Sequence, residues 1–197
     1  MSKSLIIGSR ASFLARIQIF IVKQELKRKI KNIKITTEYT STKGDENQCE
    51  APWKDLGYGI FTGTLTNKLL DRSFDCVVHS FKDLPVLKSR TEYYTIKRDD
   101  PRDVLLIKKK SLNKKNLIIG TSSPRRKSSA KDLKDYIGKE NIKTKMIRGN
   151  VPTRLFKITS KNEYDAVFVA KAAIDRIYKF GNKVDKKETE RFFNLFK

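Results

Sequence analysis

Apolar positions along this chain fall into short runs closed by polar turns, and most runs are followed by a stretch with helical spacing. Leu5-Ile6-Ile7-Gly8 reads as a strand and Ser9-Arg10-Ala11-Ser12 as the turn after it. Phe13, Leu14, Ile17, Phe20 and Ile21 then recur at the period of a buried helix face. Ile33, Ile35 and Thr37 alternate as a strand. Gly57-Tyr58-Gly59 breaks the chain before a helix carrying Ile60, Phe61, Leu65, Leu69 and Leu70, and Cys76-Val77-Val78 reads as a buried strand ending at His79-Ser80. The second half repeats the scheme. Val104–Ile107 is a strand, 108–116 a polar surface loop, and Leu117–Ile119 a strand entering Gly120-Thr121-Ser122-Ser123-Pro124. Pro124 suits the first helical position, with Ser122 or Ser123 as N-cap. Lys143–Ile147 is a strand, followed by Arg148-Gly149-Asn150 and a short helix with Pro152 near its start. Asp165–Val169 is a strand and Lys171–Tyr178 a helix.

Strands alternating with helices predict an α/β fold with a mainly parallel core. Asp99-Asp100-Pro101-Arg102 is the natural divide. The expected organisation is therefore a first α/β lobe over 1–98, a second over 99–181, and a charged tail or terminal helix over 182–197.

Charge changes the picture more than size does. The 44 Lys and Arg against 22 Asp and Glu give a formal net charge of +22, which raises nucleic acid as a partner. The lysines, however, are scattered, and the aromatics do not interleave with basic residues as base-stacking platforms do, so a solvated Lys-rich surface is the preferred reading. Cys49 and Cys76 are far apart, and His79 is the single histidine, so no metal site and no disulfide framework are expected. No apolar run approaches membrane-spanning length, and the N-terminus lacks a signal-peptide core. A cytoplasmic monomer without nucleic-acid or membrane contact is expected.

The arginines carry the chemistry. In an α/β sheet the strand carboxyl ends and the following helix N-termini share one edge, where ligands usually bind. That edge receives Ser9, Arg10 and Ser12 after one strand. Thr121, Ser122, Ser123, Arg125 and Arg126 follow a second, and Arg148, Asn150, Thr153 and Arg154 a third. Helix N-termini attract anions, and the guanidinium fork fits carboxylates two bonds at a time. Three such turns on one side point to a polyanionic small molecule. In Val78-His79-Ser80-Phe81-Lys82-Asp83-Leu84-Pro85 a strand end presents Ser80, Lys82 and Asp83. An Asp among arginines stays ionised and can stabilise a developing cation or relay a proton. Pattern alone favours a simpler Asp–Lys ion pair in a turn.

Seven segments occur here in the order seen in porphobilinogen deaminases (hydroxymethylbilane synthases): Ile7 to Gln18, Thr42-Lys43-Gly44-Asp45, Val78 to Pro85, Arg98 to Asp103, Gly120 to Arg126, Arg148 to Leu155 and Tyr164-Asp165-Ala166. The chain resembles the first two of that family's three domains. The resemblance implies two lobes similar to type II periplasmic binding proteins with a cleft between them. It also implies stepwise condensation of four porphobilinogens into hydroxymethylbilane, with loss of ammonia, in haem biosynthesis. Asp83 matches the catalytic aspartate. Arg10, Arg125, Arg126, Arg148, Arg154 and Arg176 match arginines that hold acetate and propionate groups. Ser12, Ser80, Lys82, Thr121, Ser122 and Ser123 match other positions that contact substrate or cofactor. The implied cofactor is dipyrromethane, and the implied partners are porphobilinogen and polypyrrole intermediates.

The chain also departs from the family pattern. The family anchors dipyrromethane on a third-domain cysteine, and neither Cys49 nor Cys76 lies in a matching motif. The glycine-rich return to the first domain is not recognised, and Tyr58, Gly63, Thr64 and Thr66 replace the family's residues around that helix. The expectation is an absent third domain, non-covalent cofactor binding at most and impaired turnover. Two alternatives stand beside it: a non-catalytic two-lobe protein binding a polyanion, and a nucleic-acid-binding module.

Overall fold

The computed structural model describes residues 3–41, 62–84, 91–160 and 162–196. Thr42 to Asp45, Cys49, Gly57 to Phe61 and Pro85 lie outside them. The chain divides into two compact units, Met1–Arg98 with Phe180–Asp185, and Asp99–Lys179 with Lys186–Lys197.

In the first unit, β1 (Lys3–Arg10) is central, between β2 (Ile33–Thr40) and β3 (Cys76–Val78), all parallel. Helix α1 (Phe13–Lys29) follows β1 and buries Phe13, Ala15, Ile17 and Ile19. Its last turn holds Lys27, Arg28 and Lys29, cations that suit the negative end of the helix dipole. Helix α2 (Gly63–Leu70) adds Leu65, and Ile7, Ile17, Leu65 and Phe74 close the core.

Gly8 sits where no side chain fits, because a Cβ there would clash with Cδ2 and Cε2 of the Phe74 ring. Phe74 is 2% exposed and has nowhere to retreat. Gly8→Ala is expected to cost about 2–3 kcal/mol by overpacking, read as a lowered denaturation midpoint with unchanged m-value.

The second unit has a sheet in the order β4-β7-β5-β6. Strand β5 (Asn116–Gly120) runs parallel to β6 (Asn141–Lys145) and to β7 (Ala166–Ala170). Strand β4 (Asp103–Ile107) is antiparallel to β7, so this unit is mixed rather than mainly parallel. Leu117, Ile119, Ala130, Ala166 and Phe168 form the core. Helix α3 (Pro124–Tyr136) starts with Pro124 in its first turn. Of the two expected caps Ser123 serves, its hydroxyl accepting from the Arg126 amide at 3.5 Å. Helix α4 (Val151–Ser160) is capped by Asn150, whose Oδ1 accepts from the Thr153 amide at 2.9 Å and the Thr153 hydroxyl at 2.8 Å.

Four sequence expectations shift. The polar loop 108–116 contains a 3₁₀ turn (Lys109–Ser111) whose Ser111 is fully buried, because its hydroxyl is needed by Asp165 at 2.7 Å. Strand β6 starts and ends two residues early. Ile147 lies beyond it and packs over Gly120. Helix α5 (Lys171–Val184) continues past Tyr178 through Gly181. Phe180 stacks on Phe20 with centroids 5.9 Å apart, and Asp185 takes two bonds from Arg16, both at 3.2 Å. The last residues, expected as a separate charged tail or terminal helix, take the helical form and belong to the two units. Helix α6 (Lys186–Asn194) buries Phe192 to 1% exposure, edge-on to Phe193 and Phe196 at 5.3 Å.

The third strand of each parallel set begins the same way. In the first unit the Asp75 amide donates to Ile6 O at 3.0 Å, and the Ile6 amide returns a bond to Asp75 Oδ2 at 2.7 Å. In the second the Asp165 amide donates to Ile118 O at 2.8 Å, and the Ile118 amide returns to Asp165 Oδ2 at 2.9 Å.

Candidate functional site

Each unit is taken by itself. In the first, Ser9 pairs with Val78, so Arg10 and His79-Ser80 leave adjacent strand ends together. The chain then folds into a 3₁₀ turn over Phe81–Asp83, closed by the Asp83 amide donating to Ser80 O at 2.9 Å. This returns the Asp83 carboxylate to the strand end. Oδ2 lies 3.8 Å from Arg10 Nη1 and Oδ1 3.0 Å from Lys82 Nζ. The Asp83 side chain is 16% exposed and Lys82 is 81% exposed, so the carboxylate is sheltered while one of its cations stands in solvent. Both sequence readings of Asp83 meet here: it is an ion-pair partner, and it is presented at the ligand edge.

Ser12 is the N-cap of α1 by position but makes no side-chain cap bond, which leaves its hydroxyl at the same edge. Ser80 is held by Gln18, whose Nε2 donates to Oγ at 2.9 Å. In the sequence Gln18 stands out only as the last residue of the segment from Ile7 to Gln18. A polar residue on the inward face of a helix that follows a ligand-edge turn was the available signal. Burial pushes the His79 imidazole below its ordinary value, against the pull of Asp83 and with help from Arg10. His79 Nε2 and Ser9 Oγ are buried with no hydrogen-bond partner among the described residues.

In the second unit the predicted hydroxyls build the turn. Thr121 is 1% exposed, and its Oγ1 accepts from the Ser123 amide at 3.1 Å. Ser122 Oγ donates to Ile147 O at 2.6 Å. Arg125 and Arg126 converge on Asp103, at 2.6 and 2.8 Å, and Arg126 Nη1 also donates to Phe168 O at 3.2 Å. Burial would raise the Asp103 carboxyl, but the two guanidiniums outweigh it and hold it below the usual range. Asp103, the first residue of β4, is the shared acidic partner of these arginines, a role sequence reasoning missed. Arg176 is turned to Asp99, with Nε at 2.6 Å from Oδ2. Arg148 lies half-buried between β6 and α4.

Arg154 differs from the others. It stands in the first turn of α4 and donates from Nε to Gly149 O at 2.8 Å. No carboxylate among the described residues pairs with it. Burial, and then the charge of Arg126, press its guanidinium below the ordinary value. A half-buried cation with a like charge nearby is a place where a carboxylate would be welcome. The arginines are thus of two kinds, and mutation separates them. Arg126→Ala is expected to cost about 2–3 kcal/mol, since it strips a sheltered carboxylate of one partner. Arg125→Ala, at an exposed side chain, costs under about 1 kcal/mol. Parallel chemical denaturation of the two variants checks this.

The Cys76 thiol is half-buried and is pushed up, first by burial and then by Asp75, which makes it a poor nucleophile. Cys49 lies outside the described residues. Among the described residues no His, Cys, Asp and Glu gather as a metal site, and no helix is long and apolar enough to cross a membrane.

A family model described as "Porphobilinogen deaminase, dipyromethane cofactor binding domain" matches residues 5–193. The chain belongs to the porphobilinogen deaminase family. A probable porphobilinogen deaminase of Picrophilus torridus is 40% identical over 177 residues, 87% of this chain and 59% of the relative. The porphobilinogen deaminase of Clostridioides difficile is 36% identical over 87% of this chain and 57% of its own. That of Caldicellulosiruptor saccharolyticus is 38% identical over 89% and 60%. The chain therefore spans about three-fifths of the length of the curated porphobilinogen deaminases it matches. Among solved structures, a probable amino-acid ABC transporter extracellular-binding protein of Bacillus subtilis aligns with a TM-score of 0.45 at 13% identity, covering 94% of this chain and 76% of that one.

Proposed function

We propose that this chain supplies the pyrrole-binding and catalytic residues of a hydroxymethylbilane synthase, which condenses four porphobilinogens with release of ammonia. The observation that carries the reading is the sheltered Arg154, which has no carboxylate partner among the described residues and lies near Arg126. Each pyrrole of such a substrate bears two carboxylates, so a lengthening chain of them is a polyanion. The same chemistry fits dipyrromethane. Arg10 and Ser12 on the first unit, and Arg148 and Arg154 on the second, would hold its acid groups. When bound, that group supplies the primer on which pyrroles are joined.

The protein's own work is then distributed. The arginines bind and orient carboxylates, and a guanidinium fork fixes each one's plane. Asp83, paired with Arg10 and Lys82, faces the positive charge that develops on the substrate as ammonia departs. Thr121, Ser122 and Ser123 brace the turn that aims Arg125 and Arg126. We place the working protein in the cytoplasm, as a monomer without nucleic acid.

Calorimetric titration with porphobilinogen tests the reading. Arg154→Lys is expected to weaken binding about tenfold, because an ammonium cannot reproduce the two-bond fork, while Lys114→Ala leaves it unchanged. Unchanged affinity in Arg154→Lys would falsify the carboxylate assignment.

A further inference from the structure

Two like charges sit at the end of α3 where cations are least favoured. Arg125 and Arg126 occupy its first turn, at the positive end of the helix dipole, and no acidic residue accompanies them in that turn. Asp103 supplies the missing charge from β4. Its Oδ2 accepts from Arg125 Nη2 at 2.6 Å and its Oδ1 from Arg126 Nη2 at 2.8 Å. Arg154 adds a third guanidinium, close enough for its charge and that of Arg126 to oppose each other, and its own bond goes to Gly149 O. Among the described residues these three cations gather round one acid.

The two partners of Asp103 are not equivalent. The Arg126 side chain is 13% exposed and is also fixed by Phe168 O at 3.2 Å. Pulling it away would strand a sheltered carboxylate and a sheltered cation together. The Arg125 side chain is 66% exposed and reaches Asp103 from the solvent side. When Arg125 leaves, Asp103 keeps Arg126, so no sheltered charge is uncovered. One oxygen of Asp103 is thus a permanent anchor and the other an exchangeable one.

We propose that Asp103 stands in for a ligand carboxylate on Arg125, giving that arginine up when an acid group binds and taking it back when the group leaves. This rests on the carboxylate reading of the arginines given above. Asp103 is held beside Arg125 by the fold, so it competes at a high local concentration with any acid group free in solution. A ligand already anchored at Arg154 by one acid group offers its second on similar terms, and one ion pair is then exchanged for another. The exchange matters because a pyrrole chain gains two carboxylates with each addition. Arginines without an alternative partner would hold it more tightly at every step. An internal acid that reclaims Arg125 keeps the hold reversible. Asp103 acts through Arg125 and is therefore a positioning residue.

Stopped-flow binding of porphobilinogen to the full chain tests the proposal. Asp103→Asn keeps the volume and one acceptor but removes the competing charge. Porphobilinogen is expected to dissociate from it about tenfold more slowly than from the wild type, although the unliganded variant is the less stable protein. A merely structural Asp103 predicts the opposite, weaker binding and faster dissociation. Arg125→Ala is the second variant, at an exposed position that the fold does not need. It is expected to weaken binding about tenfold, because the exchangeable arm is gone. In the Arg125→Ala background Asp103→Asn should no longer slow dissociation. Unchanged or faster dissociation from Asp103→Asn overturns the proposal, and so does unchanged affinity in Arg125→Ala, which decides alone if Asp103→Asn does not fold. Where Arg154→Lys weakens binding and Asp103→Asn fails to slow release, the exchange is wrong and the carboxylate reading stands.

Discussion

Asp83→Asn lowers ammonia release from porphobilinogen by about a hundredfold or more in the form of the protein that turns it over, and leaves the melting temperature within a few degrees. The size follows from the role. A fixed charge aimed at a charge that develops only in the transition state is typically worth two to three orders of magnitude. Asparagine keeps the volume and loses the charge. Stability is nearly indifferent because the two ion pairs of Asp83 are weak ones. Arg10 is at 3.8 Å, and Lys82 is 81% exposed, so solvent screens that pair. Lys82→Ala is the companion variant and should lower the rate far less. Ammonia release and thermal melting on the same preparations decide it. A fully active Asp83→Asn protein removes the electrostatic role.

Asp165→Ala is expected to be strongly destabilising for a polar substitution, by about 3 kcal/mol. The carboxylate accepts from Ser111 Oγ at 2.7 Å, Lys114 Nζ at 2.7 Å and the Ile118 amide at 2.9 Å, and its side chain is 10% exposed. Alanine leaves a fully buried Ser111 hydroxyl without its acceptor and frees the loop that carries it. For a chain of this size that corresponds to a drop of about 6–12 °C in melting temperature. Asp75→Ala, which removes the equivalent bond at an exposed position, should cost about 1 kcal/mol or less.

The acid dependence has a definite sign. Burial alone would raise the Asp165 carboxyl, but Lys114, the Ile118 amide and Ser111 together hold it below its ordinary value. The stabilisation is thus fully present above the unfolded carboxylate value of about 3.9. It drains as pH falls from there through the lower folded value. The gap between wild type and Asp165→Ala should be widest at neutral pH and close in acid. Denaturation midpoints measured at neutral pH and across the acid limb check both the size and the sign. A gap that widens in acid contradicts the hydrogen-bonding account.

How much of this was legible beforehand depended on sequence distance. The strand and helix after Leu117 were readable because the apolar run, Ser123 and Pro124 sit side by side and act locally. The direction of β4 was not, since Val104 to Ile107 show the same periodicity whichever way the strand runs. Ser111 read as loop surface because a hydroxyl counts as polar until its partner, 54 residues away, is known. The arginines of the ligand edge were found by type and position. Which of them are already committed was hidden, because Asp103 precedes Arg126 by 23 residues and Asp99 precedes Arg176 by 77. Asp83 as a catalytic group came from family resemblance. Its local pattern announced only the ion pair that the structure also contains.

The buried imidazole of His79 gives the first unit's ligand edge a property of its own. This is the single histidine of the chain, and its environment favours the uncharged ring. The one imidazole at this edge therefore stays uncharged down to a lower pH than a free histidine would. A change in affinity around pH 6.5, where a free imidazole takes up its proton, is then not the work of this ring.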